Sequence, residues 1–200
     1  MKVLLIGIGG TYNYGCEAIV RGTVEKLRSL FPEIQVDYAS SRVEDDKKRL
    51  EGCNVNIISR KNKWAWWNLT RNILDRLSIK NSISTEDLSL IKKYDAVFSI
   101  GGDIYTIFDD GSYAKHLVQY GDICEKYGVP YILWGCSVGP FEQNPAILEI
   151  FKKHLKNISL IVAREKVTVD YLKSIGIEKN VVFSFDPAFS VPSIKKVEKK

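Results

Sequence analysis

The sequence predicts an α/β fold, a doubly wound, mainly parallel, Rossmann-like sheet with helices on both faces. Short apolar runs rich in β-branched residues alternate with longer segments of helical period along the whole 200-residue chain. Runs such as 96–100 and 160–163 are apolar on both faces, as parallel strands covered by helices on both sides must be. In such sheets ligands bind beyond the carboxyl ends of the strands, so the strand-to-helix turns are where a site is expected.

The predicted elements follow this alternation from end to end. Strands are expected near 2–8, 34–39, 54–59, 95–100, 130–135, 158–163 and 181–185. Helices are expected near 16–30, 43–51, 65–78, 86–93, 112–127, 145–156 and 165–175. The first helix shows the pattern well, since Ile19 and Leu27 share an apolar face while Arg21 and Glu25 can face water. Residues 1–191 therefore form one domain, and 192–200 form a Lys-rich tail or the start of a linker.

Composition and charge exclude several classes of protein. Four lysines and one glutamate in the last six residues give +3 of the net charge of +5, which leaves no footprint for nucleic acid. Residues 1–8 are typical of a first strand and not of a secretory signal, and no run of about 18 apolar residues predicts a membrane span. The four cysteines lack CxxC spacing, so we expect reduced thiols in a cytoplasmic protein and no zinc site.

The first strand leads into a glycine-rich turn, residues 7–18. A dinucleotide fingerprint starting at Gly7 would need glycine at position 12, where Tyr12 stands, and no P-loop pattern exists. A glycine-rich turn that opens a helix offers backbone N–H groups to a phosphate or carboxylate. The alternative is a tight turn with Asn13 and Gly15 in left-handed conformations.

Polar residues also follow the fourth and fifth strands. Gly101 and Gly102 permit close approach of a ligand or a second backbone, and Asp103 could accept a proton from a hydroxyl or simply cap the next turn. After the fifth strand, Ser137 can hydrogen-bond a ligand, although no local His or Asp makes it a nucleophile, and Gly139 begins a rigid Gly-Pro turn.

Arg164, at the end of the sixth strand, is the most informative single residue. An arginine there is costly unless it is paired or faces a cleft, and its planar fork can hold a carboxylate or a phosphate. The alternative is an internal ion pair with Glu165 or with Asp186, which follows the last strand.

Together these turns resemble the polysaccharide pyruvyl transferase family. The resemblance rests on the order of five segments, 13–18, 99–103, 135–140, 163–165 and 186–188. It implies the N-terminal half of a GT-B-like two-domain architecture. It also implies transfer of the pyruvyl group of phosphoenolpyruvate, a donor substrate and not a cofactor, to paired hydroxyls of a cell-surface saccharide or lipid-linked saccharide.

The resemblance also assigns roles to residues. Arg164 would help to hold the donor anion, and the glycine turns would shape the floor of a cleft. Asp103 and Arg164 are the catalytic candidates, with either Asp103 or Glu17 taking a hydroxyl proton. The substrate-binding candidates are Asn13, Gly15, Glu17, Gly101, Gly102, Ser137, Gly139, Arg164, Glu165 and Asp186.

The chain departs from the family pattern at two positions. Cys16 stands where the family usually has Asp, and Asp103 stands where it usually has a third Gly. The basic and His residues of the family's second half have no substitute here, since His116 and His154 are expected at the surface of helices.

The segment 60–76 and the overall architecture leave further alternatives open. Three of the four tryptophans lie there beside cations, and they either stack on sugar rings, rest on the inner membrane face or dock into a core. Two other functions also fit the fold: a nucleotide-sugar glycosyltransferase half, or a non-catalytic module that binds a saccharide or a partner.

Overall fold

The computed structural model describes residues 1–59 and 91–191, in which seven strands form one parallel sheet. The strand order is β3-β2-β1-β4-β5-β6-β7, so the predicted doubly wound, Rossmann-like fold is confirmed. The strands are β1 (Lys2–Gly7), β2 (Gln35–Ser40), β3 (Asn56–Ser59), β4 (Ala96–Ile100), β5 (Tyr131–Cys136), β6 (Leu160–Ala163) and β7 (Val181–Phe183). The helices are α1 (Tyr14–Leu30), α2 (Val43–Arg49), α3 (Lys115–Tyr127), α4 (Pro145–Asn157) and α5 (Lys166–Ser174), followed by a 3-10 turn at Pro187–Ser190.

The sheet is buried on both faces because successive side chains of a strand point in opposite directions. On β1, Val3 and Leu5 join the core under α1, whereas Leu4 and Ile6 join the core under α3, α4 and α5. All four side chains are at most 5% exposed. This two-sided burial explains why the strands read as continuous apolar runs.

The strand order changes direction between β1 and β4, which pair in register from Val3 with Ala96 to Gly7 with Ile100. Because β2 and β3 lie on one side of β1 while β5, β6 and β7 lie beyond β4, the turns after β1 and β4 separate. Such a divergence opens a crevice at the carboxyl edge of the sheet. All turns singled out in the sequence meet at this edge.

Helix ends follow the capping chemistry of the sequence. The Asn13 side chain accepts a hydrogen bond from the backbone N–H of Cys16 at 2.7 Å and starts α1. The Asn144 side chain caps α4 in the same way, with Pro145 in the first turn. Gly128 ends α3 in a left-handed conformation, with φ of 66°.

One expected surface residue is buried. His154 was expected on the outside of a helix, but only 4% of its surface is exposed, so that prediction is wrong. Its side chain lies on the inner face of α4 with Phe151 and Leu155, where Gly121 of α3 leaves room for the imidazole.

Several other predictions concern residues that the structure does not describe. The helix 65–78, the Trp-rich segment 60–76 and the tail 192–200 lie outside the described residues, as does most of the helix 86–93. Across 1–59 and 91–191, no helix is both long and apolar enough to cross a membrane. All four cysteines are free thiols, and burial raises the pKa of Cys124 and Cys136 to about 12, which makes both poor nucleophiles.

Candidate functional site

Four adjacent strands each place one polar side chain at the same point of the sheet edge. Asp103 follows β4, Ser137 follows β5, Arg164 follows β6 and Asp186 follows β7. These four residues are called the Arg164 cluster below. The strands are parallel neighbours, so their carboxyl ends share one edge and bring these four side chains together.

The guanidinium of Arg164 contacts all three partners. Its Nε donates to Ser137 Oγ at 2.9 Å, Nη1 to Asp186 Oδ2 at 3.0 Å and Nη2 to Asp103 Oδ1 at 2.6 Å. The side chains of Arg164 and Asp186 are 22% and 18% exposed, whereas that of Asp103 is 78% exposed. The inner partners therefore fix the arginine, and Asp103 is the partner that solvent or a ligand reaches.

Gly102 provides the surface on which the guanidinium rests. A Cβ at this position would lie 2.6 Å from Nη1 and 2.8 Å from Nη2 of Arg164. The Gly102 carbonyl also accepts a hydrogen bond from the Ser137 backbone N–H at 2.8 Å, which joins the turns after β4 and β5. Gly102 thus permits close approach of a side chain, whereas the sequence predicted the approach of a ligand or a second backbone. Gly101, with φ of 138°, needs glycine for its backbone conformation instead.

Glu165 lies beside the cluster at the start of α5. A hydrogen bond from Ser137 lowers its pKa most, and further contributions come from Thr168 and from the charge of Arg164. The Thr168 hydroxyl lies 3.1 Å from Glu165 Oε1 and 3.3 Å from the backbone N of Val138. The guanidinium of Arg164 thus pairs with the carboxylates of Asp103 and Asp186, while Glu165 lies near enough for its carboxylate to interact with the same charge without an ion pair.

Gly139 shapes the turn after β5 but does not contact Arg164. Its φ is 82°, and a Cβ would overlap the ring of Tyr171 on α5. The hydroxyl of Tyr171 accepts from the backbone N–H of Phe141 at 2.9 Å. The Gly139–Pro140 bond is cis. The role of this glycine is to let the turn lie directly on α5.

The first turn is separate from the Arg164 cluster. The side chain of Asn13 caps α1 by accepting a hydrogen bond from the backbone N–H of Cys16. Glu17 pairs with Arg21 at 2.9 Å and with Arg49 at 3.4 Å. Gly15 begins α1, and φ is positive at neither Gly15 nor Asn13, so the left-handed turn considered from the sequence is not formed. Glu17 therefore lies at the same sheet edge among arginines of α1 and α2.

Sequence reasoning missed the residue that holds this first turn in place. Asp46 of α2 is 1% exposed and accepts hydrogen bonds from the Thr11 backbone N–H at 2.8 Å and the Thr11 hydroxyl at 2.6 Å. It also accepts one from the Ser40 hydroxyl at 2.5 Å. Asp46 lies inside a run of charged residues, which is typical of an exposed helix face. Its spacing of four residues from Leu50, however, places it on the apolar face of α2 and could have indicated that it is buried.

A search with family models supplies the deciding observation. A model described as polysaccharide pyruvyl transferase matches residues 13–200, nearly the whole chain. This chain belongs to the polysaccharide pyruvyl transferase family. The resemblance drawn from the five strand-end segments is thereby confirmed.

A curated relative adds a biological setting. The amylovoran biosynthesis protein AmsJ of Erwinia amylovora is 25% identical over 217 residues, which cover 96% of this chain and 49% of the relative. The chain thus spans about half the length of this relative.

Solved structures share the Rossmann-like fold of this chain. Anabaena HepE, solved with UDP and glucose, has a TM-score of 0.58 at 12% identity over 93% of this chain and 44% of its own. The UDP-GlcNAc 2-epimerase of Neisseria meningitidis, solved with UDP-GlcNAc, has a TM-score of 0.56 at 14% identity over 94% of this chain and 47% of its own. At such identities the likeness establishes the fold alone.

Within 1–59 and 91–191, no group of three or more His, Cys, Asp or Glu side chains could hold a metal ion.

Proposed function

We propose that the complete protein transfers the pyruvyl group of phosphoenolpyruvate to two hydroxyls of a saccharide, and that this chain supplies the proton acceptor for a hydroxyl. The observation that supports this is the convergence of Asp103, Ser137 and Asp186 on Arg164 in a member of the pyruvyl transferase family. The products are a cyclic ketal and phosphate. One hydroxyl proton ends on the methylene carbon of the donor and the other on the phosphate, so the reaction balances without a cofactor.

Asp103 is the proposed proton acceptor. It is the most exposed acid of the cluster, and its Oδ1 is held 2.6 Å from Arg164 Nη2. A positioned carboxylate that takes a proton in the transition state accelerates such reactions by about 100-fold to 10,000-fold. Arg164 is the positioning residue for Asp103, and Asp186 and Ser137 in turn fix Arg164.

The charge around Arg164 determines at which step of the reaction Arg164 can bind the phosphate group of the donor. Two carboxylates pair with the guanidinium and a third, that of Glu165, lies nearby, so negative charge exceeds positive charge and the resting cluster repels an anion such as phosphoenolpyruvate. When Asp103 takes the hydroxyl proton its charge is lost, and Nη2 of Arg164 becomes free to donate to the leaving phosphate. In this proposal Arg164 therefore binds the phosphate group at the step in which phosphate leaves, and not in the resting enzyme.

The remaining sequence candidates shape the site. Gly101 and Gly102 form the floor under Arg164, Glu165 orients Ser137, and Gly139 fixes the turn after β5. Asn13 and Gly15 start the helix that presents Glu17 at the same edge. In this proposal Glu17 binds the acceptor and takes no proton, because two arginines already pair with it.

The test is phosphate release by the full-length protein with phosphoenolpyruvate and a saccharide acceptor. Asp103→Asn keeps the size of the side chain and should lower kcat about 100-fold or more. Asp109→Asn, an exposed acid of the same loop, is the matched control and should leave kcat unchanged. Wild-type kcat in Asp103→Asn would refute the assigned role, and no phosphate release with any acceptor would refute the reaction itself.

A further inference from the structure

A cavity lies beside the glycine-rich turn, apart from the Arg164 cluster. It measures about 340 Å³ and is lined by Tyr12, Arg42, Asp45, Asp46, Lys48 and Arg49. Tyr12 follows β1, and Arg42 follows β2, so the cavity opens at the same carboxyl edge of the sheet. It is called the basic pocket below.

The wall of the basic pocket is rigidly held. The buried carboxylate of Asp46 accepts hydrogen bonds from Thr11 and Ser40, which fixes the turn after β1 against α2. The Ser41 backbone N–H donates to the Gly9 carbonyl at 2.9 Å, and the stem of Arg42 packs where a Cβ of Gly10 would stand. The backbone that carries the cations of the pocket is therefore fixed by hydrogen bonds within the protein.

Three cations, Arg42, Lys48 and Arg49, line the basic pocket together with two carboxylates, Asp45 and Asp46, so its lining has a formal net charge of +1. The charge of Asp46 is committed to its three donors, and Asp45 lies 3.8 Å from Arg42 in a pair exposed to solvent on both sides. Arg49 pairs with Glu17 at 3.4 Å. Among the described residues, Lys48 makes no ion pair within 4.0 Å. Three cations facing one cavity suit a phosphate or diphosphate group.

We propose that the basic pocket binds the phosphate or diphosphate of a phosphorylated saccharide, the acceptor class for the transfer. This inference rests on the proposed function. Tyr12 and Tyr14 are 65% and 84% exposed, and the ring of Tyr14 lies 6.0 Å from the guanidinium carbon of Arg49. Exposed aromatic faces beside a phosphate site suit the apolar faces of sugar rings.

The spacing of the two sites favours the acceptor over the donor. Tyr12 follows β1 and Arg42 follows β2, whereas Asp103 follows β4, so one to two inter-strand steps, roughly 5–10 Å along the sheet edge, separate the basic pocket from Asp103. In phosphoenolpyruvate one oxygen atom joins the phosphorus to the reacting carbon, so a donor held in the pocket would keep that carbon away from Asp103. An acceptor whose sugars separate its phosphate from its hydroxyls spans the gap.

Direct binding tests the pocket in the 200-residue chain itself. Inorganic pyrophosphate, glucose 1-phosphate, glucose and phosphoenolpyruvate are titrated separately by calorimetry. Pyrophosphate and glucose 1-phosphate should bind more tightly than glucose, and Lys48→Gln or Arg42→Gln should weaken both at least tenfold. Lys47→Gln is the matched control, because Lys47 neighbours Lys48 on α2 but pairs with Glu44 at 2.9 Å. Equal weakening by Lys47→Gln, or no weakening by Lys48→Gln, would overturn the site.

Kinetics of the full-length protein separate this inference from the proposed function. Lys48→Gln should raise KM for a phosphorylated saccharide at least tenfold while KM for phosphoenolpyruvate stays the same. Transfer with an unchanged acceptor KM in Lys48→Gln would overturn the acceptor assignment and leave the transfer reaction standing. Pyrophosphate binding that depends on Lys48, without transfer to any acceptor, would overturn the reaction and support the phosphate site.

Discussion

At the residue scale, the position of Arg164 depends on the missing side chain of Gly102. The guanidinium occupies the space that a Cβ would take, so even a methyl group must move it. φ is not positive at Gly102, so alanine is conformationally allowed there. Function and stability can therefore be separated at this position.

Gly102→Ala should lower the transfer rate of the full-length protein at least tenfold, because a misplacement of about 1 Å in a site can cost about 100-fold. The free energy of unfolding should change by less than about 1 kcal/mol, since the displaced atoms are the end of one long, partly exposed side chain and no backbone atom has to move. Phosphate release and urea denaturation of the same preparation check both parts. A large loss of stability would instead make Gly102 a structural residue.

The sequence allowed part of this cluster to be predicted. Arg164 and Asp186 follow adjacent parallel strands, and strand ends that share an edge bring such groups together. The choice between an ion pair and a ligand site remained open, since it depends on the conformation of the turns. The structure shows the ion pair formed, with Asp186 and Asp103 as partners and not with Glu165. The roles assigned to these residues in catalysis stay predictions.

At the element scale, α1 packs directly on the 3-10 turn that follows β7. Gly22 stands at the contact, and a Cβ there would overlap the carbonyl oxygen of Pro187. A second glycine, Gly135 of β5, leaves room for the Pro187 ring in the same way. The two glycines place this turn between α1 and the sheet, and so place Asp186 at the edge of the site.

Gly22→Ala should destabilise the chain by about 1–3 kcal/mol. Alanine favours a helix by about 1 kcal/mol over glycine, but here the overlap is with backbone, which moves only at the cost of overpacking. The urea midpoint of the 200-residue chain is the measurement. Ser29→Ala, on the exposed side of the same helix, is the control and should raise or preserve stability. A stabilised Gly22→Ala would show that the contact yields easily.

Element identities were predictable, and their ends less so. Every described strand coincides with a predicted apolar run, because a strand that is buried on both faces requires consecutive apolar residues. The last strand ends at Phe183 and not at 185, and α3 begins at Lys115 and not at 112. There, turn geometry and not hydrophobic period sets the boundary. His154 was misjudged for a related reason: its spacing from Ile147 and Phe151 marks the inner face of α4, but its polarity suggested solvent.

At the scale of the whole molecule, the buried His154 couples folding to pH. Its ring is stacked on Tyr105 with a centroid distance of 5.9 Å, and Nε2 has no hydrogen-bond partner within the described residues. Burial lowers the pKa of His154 to about 4, from an ordinary value of 6.5. No charge partner offsets that cost, because desolvation is the cause of the shift.

The sign of the pH effect follows from these two pKa values. Above pH 6.5 the imidazole is neutral in both states, so His154 contributes no pH dependence. Between pH 6.5 and about 4 the unfolded chain takes up a proton that the folded chain does not, so the free energy of unfolding falls as pH falls. The slope is about 1.4 kcal/mol per pH unit, which amounts to about 3 kcal/mol over the interval.

Urea denaturation across this interval checks the prediction in the 200-residue chain. His154→Phe keeps a ring against Tyr105 without a titrating group, so stability should fall less between pH 6.5 and pH 4 than in the wild type. Ile147→Val is the matched control, since Ile147 is buried on the same face of α4 and the substitution removes no titrating group. It should keep the wild-type slope. Equal slopes in the wild type and His154→Phe would mean that the carboxylates alone carry the acid sensitivity and that the folded core accepts a protonated His154.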